Sequence, residues 1–257
     1  MRATDMINSY KQYWRDLYER ERDNTLLIWG WDPFEDWDKS LMEPALAPGD
    51  LQIGLSILYA KPDDELGERF IRRALSYVER LLREKKCEQL RGFPFNRAET
   101  YELKALCLGI LENKIDEGSW HNAAEDYTAF LTDEGDHHPG LWHAFFLCAI
   151  RAELIRGNPA AALHLYERIP KRVPWLTAEG PMWRQLAESA ARGESTPRQL
   201  ASEIEAFFEE IRNPSFEPED EMGVTRARPE VGAILWRYVR HPEKSPDWRA
   251  ILRAIAK

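Results

Sequence analysis

Apolar residues recur along most of the chain at steps of three and four, which is the period of an amphipathic helix. The pattern predicts a first helix over 5–22. It predicts another after Pro62, where the following acids suit the positive end of a helix. A further helix is expected to begin at Asn96, with Glu99 at the spacing of a capping box. No stretch alternates in the manner of a strand, so the sequence predicts an all-α fold.

The later helices follow the same period. The stretches 101–111 and 141–155 are apolar on most sides, which is typical of central helices. Pro197 opens a helix that Pro214 ends. Two shorter helices close the chain. Their apolar positions are Val231, Ile234, Leu235 and Tyr238 in one, and Trp248, Ile251, Leu252 and Ile255 in the other.

A glycine-asparagine turn separates two of the predicted helices. Gly157 can end one helix in a left-handed conformation, and Asn158 can cap the next. Ala162 and Tyr166 then follow at a spacing of four. In these four positions the chain resembles a tetratricopeptide-type hairpin. The resemblance implies stacked antiparallel helical hairpins and says nothing about a ligand.

An earlier copy of this pattern is indicated by Ala123 and Tyr127. Its tyrosine precedes Tyr166 by 39 residues (166 − 127), against the roughly 34 of the tetratricopeptide repeat. We therefore expect a helical array over 1–212. An irregular loop over 213–230 should separate it from a small C-terminal cap, in which the helices of 231–257 pack on the same domain.

Composition restricts the kinds of partner that the chain is expected to bind. The 257 residues carry a net charge of −9 and three widely spaced cysteines, and mean hydropathy is −0.56. Residues 101–150 hold nine acids against two lysines, a local net charge of −7. Such a surface attracts a basic protein and opposes binding to nucleic acid or an anionic membrane. With no export signal in the sequence and no disulfide pattern, the expected location is cytoplasmic.

The most unusual segment is 29–38, in which four aromatic rings alternate with four acids. It can form an interaction surface, with the rings as anchors and the acids pairing with a partner's cations. It can equally be ordinary packing, since tryptophans are mostly buried. The candidate partner-binding residues are Trp31, Asp32, Glu35, Asp36, Trp37, Asp38, Glu125, Asp126, Asp133 and Glu134.

Motifs for catalysis are weak. The sequence has no glycine-rich phosphate loop, no Gly-x-Ser-x-Gly elbow and no His-Glu-x-x-His pair. Cys107 and Cys148 read as core fillers. Asp136, His137 and His138 form one cluster that a divalent metal could use to activate water. The alternative is a solvated loop, so the sequence predicts no cofactor and no catalytic residue.

The acidic runs and the helical array together resemble, by type, the cytoplasmic immunity proteins of bacterial toxin systems. That resemblance implies a protein that neutralises a basic toxin, such as a nuclease, by occluding its active site. Two alternatives stay open. One is a scaffold or regulatory protein that binds peptides in a concave groove, and the other is a metal-dependent helical hydrolase.

Overall fold

A computed structural model describes five stretches of the chain. They cover 62–89, 94–133, 142–169, 179–212 and 229–255. Seven residues of a preceding helical segment are also described: Ala47, Asp50, Leu51, Gly54, Leu55, Ile57 and Leu58. The predicted helix over 5–22 lies outside the described residues.

Helices account for most of the described chain, and this part contains no strand. A short 3₁₀ turn, Lys86–Gln89, follows the first helix, and a π-helical segment, Leu235–Arg240, continues the eighth. The all-α prediction is therefore confirmed. The helices are α1 (Glu65–Arg83), α2 (Phe95–Glu112), α3 (Glu117–Asp133), α4 (Trp142–Ile155), α5 (Pro159–Glu167), α6 (Glu179–Ala191), α7 (Arg198–Arg212), α8 (Pro229–Ile234) and α9 (Trp248–Ile255).

The helix starts test the capping predictions. Before α1, Asp64 accepts a hydrogen bond from the Leu66 amide at 2.9 Å, so the acidic start after Pro62 is confirmed. The capping box at Asn96 is wrong. Pro94 occupies the N-cap position without a side-chain bond, and Asn96 is buried inside the first turn. The helix starts earlier because Phe95 is drawn into the core, which leaves Glu99 free of a capping role.

Consecutive helices pack against one another from α1 through α7, as a stack of helical hairpins does. The turn between α4 and α5 has the predicted form. Gly157 adopts a φ of +85°, and Asn158 accepts a hydrogen bond from the Ala161 amide at 3.3 Å. Helix α6 was not expected from the sequence, although Trp183 is fully buried in it.

Residues 229–255, which we call the C-terminal strap, cross one end of this stack. Helix α8 packs on α4, and α9 packs on α8 and α2. The Arg237 guanidinium donates to the Ile155 carbonyl at 2.7 Å, and the Tyr238 hydroxyl donates to the Leu154 carbonyl at 2.8 Å. These bonds add side-chain donors to carbonyls in the last turn of α4, of which that of Leu154 also accepts from the Gly157 amide at 3.0 Å. Arg237 suits the negative end of the helix dipole.

The other half of the strap fastens α1 and α2. The Trp248 ring lies directly against Gly109 of α2, where no side chain intervenes. The side-chain oxygen of Asn113, the residue just after α2, accepts a hydrogen bond from the Arg249 amide at 3.2 Å. Arg249 also pairs with Glu68 of α1 at 2.6 Å. The strap thus joins the start of α1 to the ends of α2 and α4, which antiparallel packing places at the same end of the stack.

The apolar core extends through the stacked helices and the C-terminal strap. Its largest fully buried side chains include Trp120, Trp183, Trp248 and Tyr127. Of the described helices, none has the length and apolar character needed to cross a membrane.

Candidate functional site

Two carboxylates lie on the inward face of α2. The positions Phe95, Glu99, Glu102 and Leu106 follow one another at steps of four, three and four, so they share one side of the helix. Tyr127 of α3 faces them, and its hydroxyl donates to a carboxylate oxygen of Glu102. We call Glu99, Glu102 and Tyr127 the carboxyl cluster.

Aromatic packing fixes the position of this cluster. The Phe95 ring lies 5.3 Å from the ring of Tyr127 and 5.3 Å from that of Phe130, both in tilted arrangements. Tyr127 is almost fully buried, whereas Glu99 and Glu102 keep partial exposure to solvent. Part of each carboxylate residue is therefore accessible to solvent beside the buried Tyr127.

The burial of the cluster changes its protonation. Removal from water, followed by the nearby charge of Glu102, raises the pKa of Glu99 to about 8. Burial, and then the same carboxylate, holds the pKa of Tyr127 well above its ordinary value. Within the described chain, Glu99 has no hydrogen-bond donor and no cation paired with it. At neutral pH its carboxyl is therefore mostly protonated.

An ion pair beside the cluster joins the same two helices. Arg97 of α2 donates to both oxygens of Asp126, with its Nε at 2.6 Å and its Nη2 at 2.7 Å. The hydrogen bond to Asp126 is the main cause that raises the pKa of Arg97. Arg97 also reaches Glu88 at 3.3 Å. Because Asp126 is buried, this pair anchors the α2–α3 packing that presents the carboxyl cluster.

Helix α4 contributes the neighbouring groups. Arg151, which is buried, donates from Nη2 to the sulfur of Cys148 at 3.5 Å. Cys148 lies near enough to Tyr127 to affect its ionisation. It is partly exposed, while Cys107 is fully buried and burial raises the pKa of its thiol. Cys107 thus fits the predicted role of a core filler, whereas Cys148 lies at the edge of the core.

A second polar chain crosses from α4 to the exposed face of α3. Glu153 accepts from Arg156 at 2.6 and 2.9 Å, and Arg156 reaches His121 Nδ1 at 2.6 Å. Because arginine can only donate, Nδ1 is the acceptor, and the protonated Nε2 faces Glu125 at 2.9 Å. Burial is the main cause that raises the pKa of Glu153. The chain ends in the well-exposed carboxylate of Glu125.

The structure describes only some of the residues predicted from the sequence. Glu125 is exposed, but Asp126 is buried in its pair with Arg97 and its carboxylate is engaged within the protein. Asp133 ends α3, and its side chain is not described. Outside the described residues lie Trp31, Asp32, Glu35, Asp36, Trp37, Asp38 and Glu134, together with Asp136, His137 and His138.

No grouping of three or more histidine, cysteine or acidic side chains suitable for a metal occurs in the part of the chain that is described. The predicted metal alternative at Asp136, His137 and His138 falls outside that part and stays a prediction.

Sequence reasoning missed the carboxyl cluster. It placed Glu99 in a capping box, and it used Tyr127 only as a sign of a repeat. A usable signal was present, because Glu99 and Glu102 continue the apolar face set by Phe95 and Leu106. Acids at such positions must be paired, protonated or partly open to water.

The fold and the site define an all-α helical-hairpin protein with two partly exposed carboxylates beside a buried tyrosine at the α2–α3 contact. Comparison of the chain with protein-family models, curated proteins and solved structures found no match.

Proposed function

We propose that this chain is a protein-binding helical array whose partner is basic. The observation that supports this is Glu99, a partly exposed carboxyl beside Glu102 that has no cation paired with it among the described residues. A guanidinium or ammonium group from a partner would supply that counterion. A charge-assisted hydrogen bond in a partly dry site contributes about 1.5–3 kcal/mol.

The exposed carboxylate of Glu125 on α3 and the net charge of −9 favour the same class of partner. Long-range attraction of this kind raises association rates about 10- to 1,000-fold and weakens as salt rises. Binding should therefore be sensitive to ionic strength.

Within this class, we propose neutralisation of a basic toxin as the particular activity. The acids and rings of 29–38 would then stand in for nucleic-acid phosphates and anchor the partner, as expected from the sequence. Co-expression with the captured partner tests this, since the chain should restore growth that the partner alone prevents. A captured partner that is harmless when expressed alone would contradict this activity but leave basic-partner binding intact.

The binding experiment is affinity capture from the native cells at pH 8.5, where Glu99 is mostly ionised, with washes of rising salt. The baits are wild type, Glu99→Gln, the double variant Asp36→Lys/Asp38→Lys, and the control Glu203→Gln. The control removes one exposed carboxylate from α7, away from the cluster.

We expect one abundant basic partner that elutes as salt rises and binds Glu99→Gln roughly tenfold more weakly. The double variant should associate with the partner more slowly than Glu99→Gln does, and the control should match wild type. Equal capture by all four baits would contradict the proposed surfaces. A spread of partners without basic character would favour a peptide-binding scaffold instead.

A further inference from the structure

Helix α1 carries a row of arginines on the side opposite its buried positions. Six residues follow the helical period along this side over about 21 Å. They are Arg69, Arg72, Arg73, Ser76, Arg80 and Arg83, and we call them the arginine face. Between residues 69 and 83 the sequence has one acid, Glu79, which lies beside this row rather than in it. In a chain of net charge −9, α1 therefore presents a surface of opposite sign.

The two ends of the arginine face keep their charge. Arg69 and Arg83 are exposed, and neither forms an ion pair with a described residue. Arg72 lies 3.6 Å from Glu68, but that carboxylate is also paired with Arg249 at 2.6 Å. The described residues therefore leave an excess of positive charge on this surface.

Aromatic rings line one edge of the arginine face. Phe70 and Tyr77 are half-buried there. The Arg73 guanidinium lies 5.0 Å from the centre of the Phe70 ring, and that of Arg80 lies 5.7 Å from the centre of the Tyr77 ring. Guanidinium groups stack on aromatic rings and also bond to carboxylates. This edge therefore suits a ligand that brings both rings and acids.

The segment before α1 leads the N-terminal part of the chain toward this surface. Gly54 lies against Ile71, and the Asp50 carboxylate accepts from Arg73 at 2.5 Å. Since the earlier residue contacts the later position of α1, the segment runs antiparallel to the helix. Its direction carries Ala47 beyond Arg73, toward the end of α1.

The acidic aromatic segment 29–38, which lies outside the described residues, ends nine residues before Ala47 (47 − 38). Nine residues span at most about 32 Å, whereas the 19 residues of α1 are about 28 Å long. The whole arginine face is therefore within reach. The acids of the segment are Asp32, Glu35, Asp36 and Asp38, and its rings are Trp29, Trp31, Phe34 and Trp37.

We propose that the arginine face of α1 is the docking surface for segment 29–38 of the same chain, with the acids on the arginines and the rings against the edge of Phe70 and Tyr77. Single exposed ion pairs contribute little. The docking therefore depends on several pairs together and on the tether, which gives an effective concentration on the order of millimolar.

Other occupants fit the arginine face less well. A nucleic acid or a second copy of the chain would bring further negative charge to a molecule whose net charge is already −9. The acids of segment 29–38 are part of that net charge, so their docking adds none. A basic partner would compete with α1 for these acids, and only this consequence rests on the proposed function.

The first test places a nitroxide label on Ser76→Cys, in the middle of the arginine face. The background is Cys148→Ser, which removes the one cysteine of the chain that is not buried. The indole N–H signals of Trp29, Trp31 and Trp37 are followed by ¹⁵N NMR and assigned from single Trp→Phe variants. We expect all three signals to lose more than half of their intensity through paramagnetic broadening.

A label on Ser202→Cys of α7 is the matched control. Both serines are exposed, and each donates to a backbone carbonyl of the preceding helical turn. The control label should leave the three indole signals unchanged. Absence of broadening from the Ser76→Cys label, or equal broadening from both labels, would overturn the proposal. Broadening that requires mixing of labelled and ¹⁵N-enriched chains would place the segment on a second copy and would also overturn it.

Charge reversal then tests the pairing. Arg69→Glu/Arg83→Glu and Asp36→Lys/Asp38→Lys should each remove most of the broadening, and the combined variant should restore at least half of it. In 1 M salt, where exposed charges are screened beyond about 3 Å, the broadening should also fall. If the reversed arginines left the broadening unchanged, the arginine face would not be what holds the segment.

The control for charge reversal is Arg184→Glu/Arg192→Glu on and just after α6. It changes two exposed arginines away from α1 and should leave the broadening as in wild type. None of these measurements uses a partner. If docking is observed and no basic partner is captured, the proposed function fails and the docking stands. If a basic partner is captured and no docking is observed, the reverse holds.

Discussion

The contact between Gly109 and Trp248 gives the sharpest test of how the C-terminal strap is held. A methyl group built on Gly109 would lie 2.5 Å from the Trp248 ring nitrogen and 2.9 Å from a ring carbon. Atoms of a buried ring cannot be approached so closely, and Trp248 is 1% exposed with α8 packed against its helix. Gly109→Ala must therefore displace the ring and with it the strap.

Two effects of opposite sign decide how far Gly109→Ala changes the free energy of unfolding. Alanine is favoured over glycine inside a helix by about 0.5–1 kcal/mol. Overpacking a core costs about 1–3 kcal/mol, so the net change in wild type is a destabilisation of roughly 1–2 kcal/mol. Replacing Trp248 by leucine removes the ring and, by itself, should cost somewhat less than the ~3–5 kcal/mol of a Trp→Ala change.

The informative measurement is a double-mutant cycle by urea unfolding. In the Trp248→Leu background, Gly109→Ala no longer meets a ring and should stabilise the protein by up to about 1 kcal/mol. The reversal of sign is the expected result. Gly118→Ala on α3 is the control, because its methyl group would find its nearest neighbour only at 3.7 Å and should stabilise both backgrounds. If Gly109→Ala were equally destabilising in both backgrounds, the ring contact would not be what excludes a side chain at this position.

Further predictions test single contacts, each through the change in the free energy of unfolding measured by urea or thermal unfolding. Arg97→Met should lower the free energy of unfolding by about 2–4 kcal/mol, because it leaves the buried Asp126 carboxylate without its cation. Arg184→Met breaks an exposed pair on α6 and should lower it by under about 1 kcal/mol. Equal losses for the two variants would contradict the anchoring role of Arg97. Gly157→Ala, at a φ of +85° and with a methyl group 2.7 Å from the Arg237 guanidinium, should cost more than the roughly 1–2 kcal/mol of left-handed backbone alone. Gly193→Ala, at a φ of +67° in open space, isolates that backbone cost, and a cost for Gly157→Ala no greater than this would argue against a role for Arg237.

Much of the fold follows from local signals in the sequence. The apolar period, the acidic start of α1 and the Gly157-Asn158 turn each depend on residues within a few positions, and the structure confirms all three. The sequence pattern that predicts helix α6 is weaker. It follows a stretch at 170–180 that contains two prolines, and its large apolar side chains are limited to Met182, Trp183 and Leu186, all of which are buried.

The candidate site could not be predicted from such local signals, because its properties arise from contacts between helices. An Asn followed by a Glu three positions later is compatible with a cap or with a helix interior, and the burial of Phe95 decides between them. Only the approach of α3 brings Tyr127 to Glu102, and no donor to Glu99 occurs among the described residues.

Net charge alone does not say which acids of the chain are available to a partner. Of the acids in the 101–150 run, Asp126 is used internally by Arg97, and Glu102 by Tyr127. Glu99 lies outside that run and close to apolar residues, where a carboxyl is least expected on a solvated surface. A charge that is costly to hold in the free protein is stabilised most when a partner's cation reaches it, so the acid with the most perturbed protonation is a better candidate for recognition than the acids that are simply numerous.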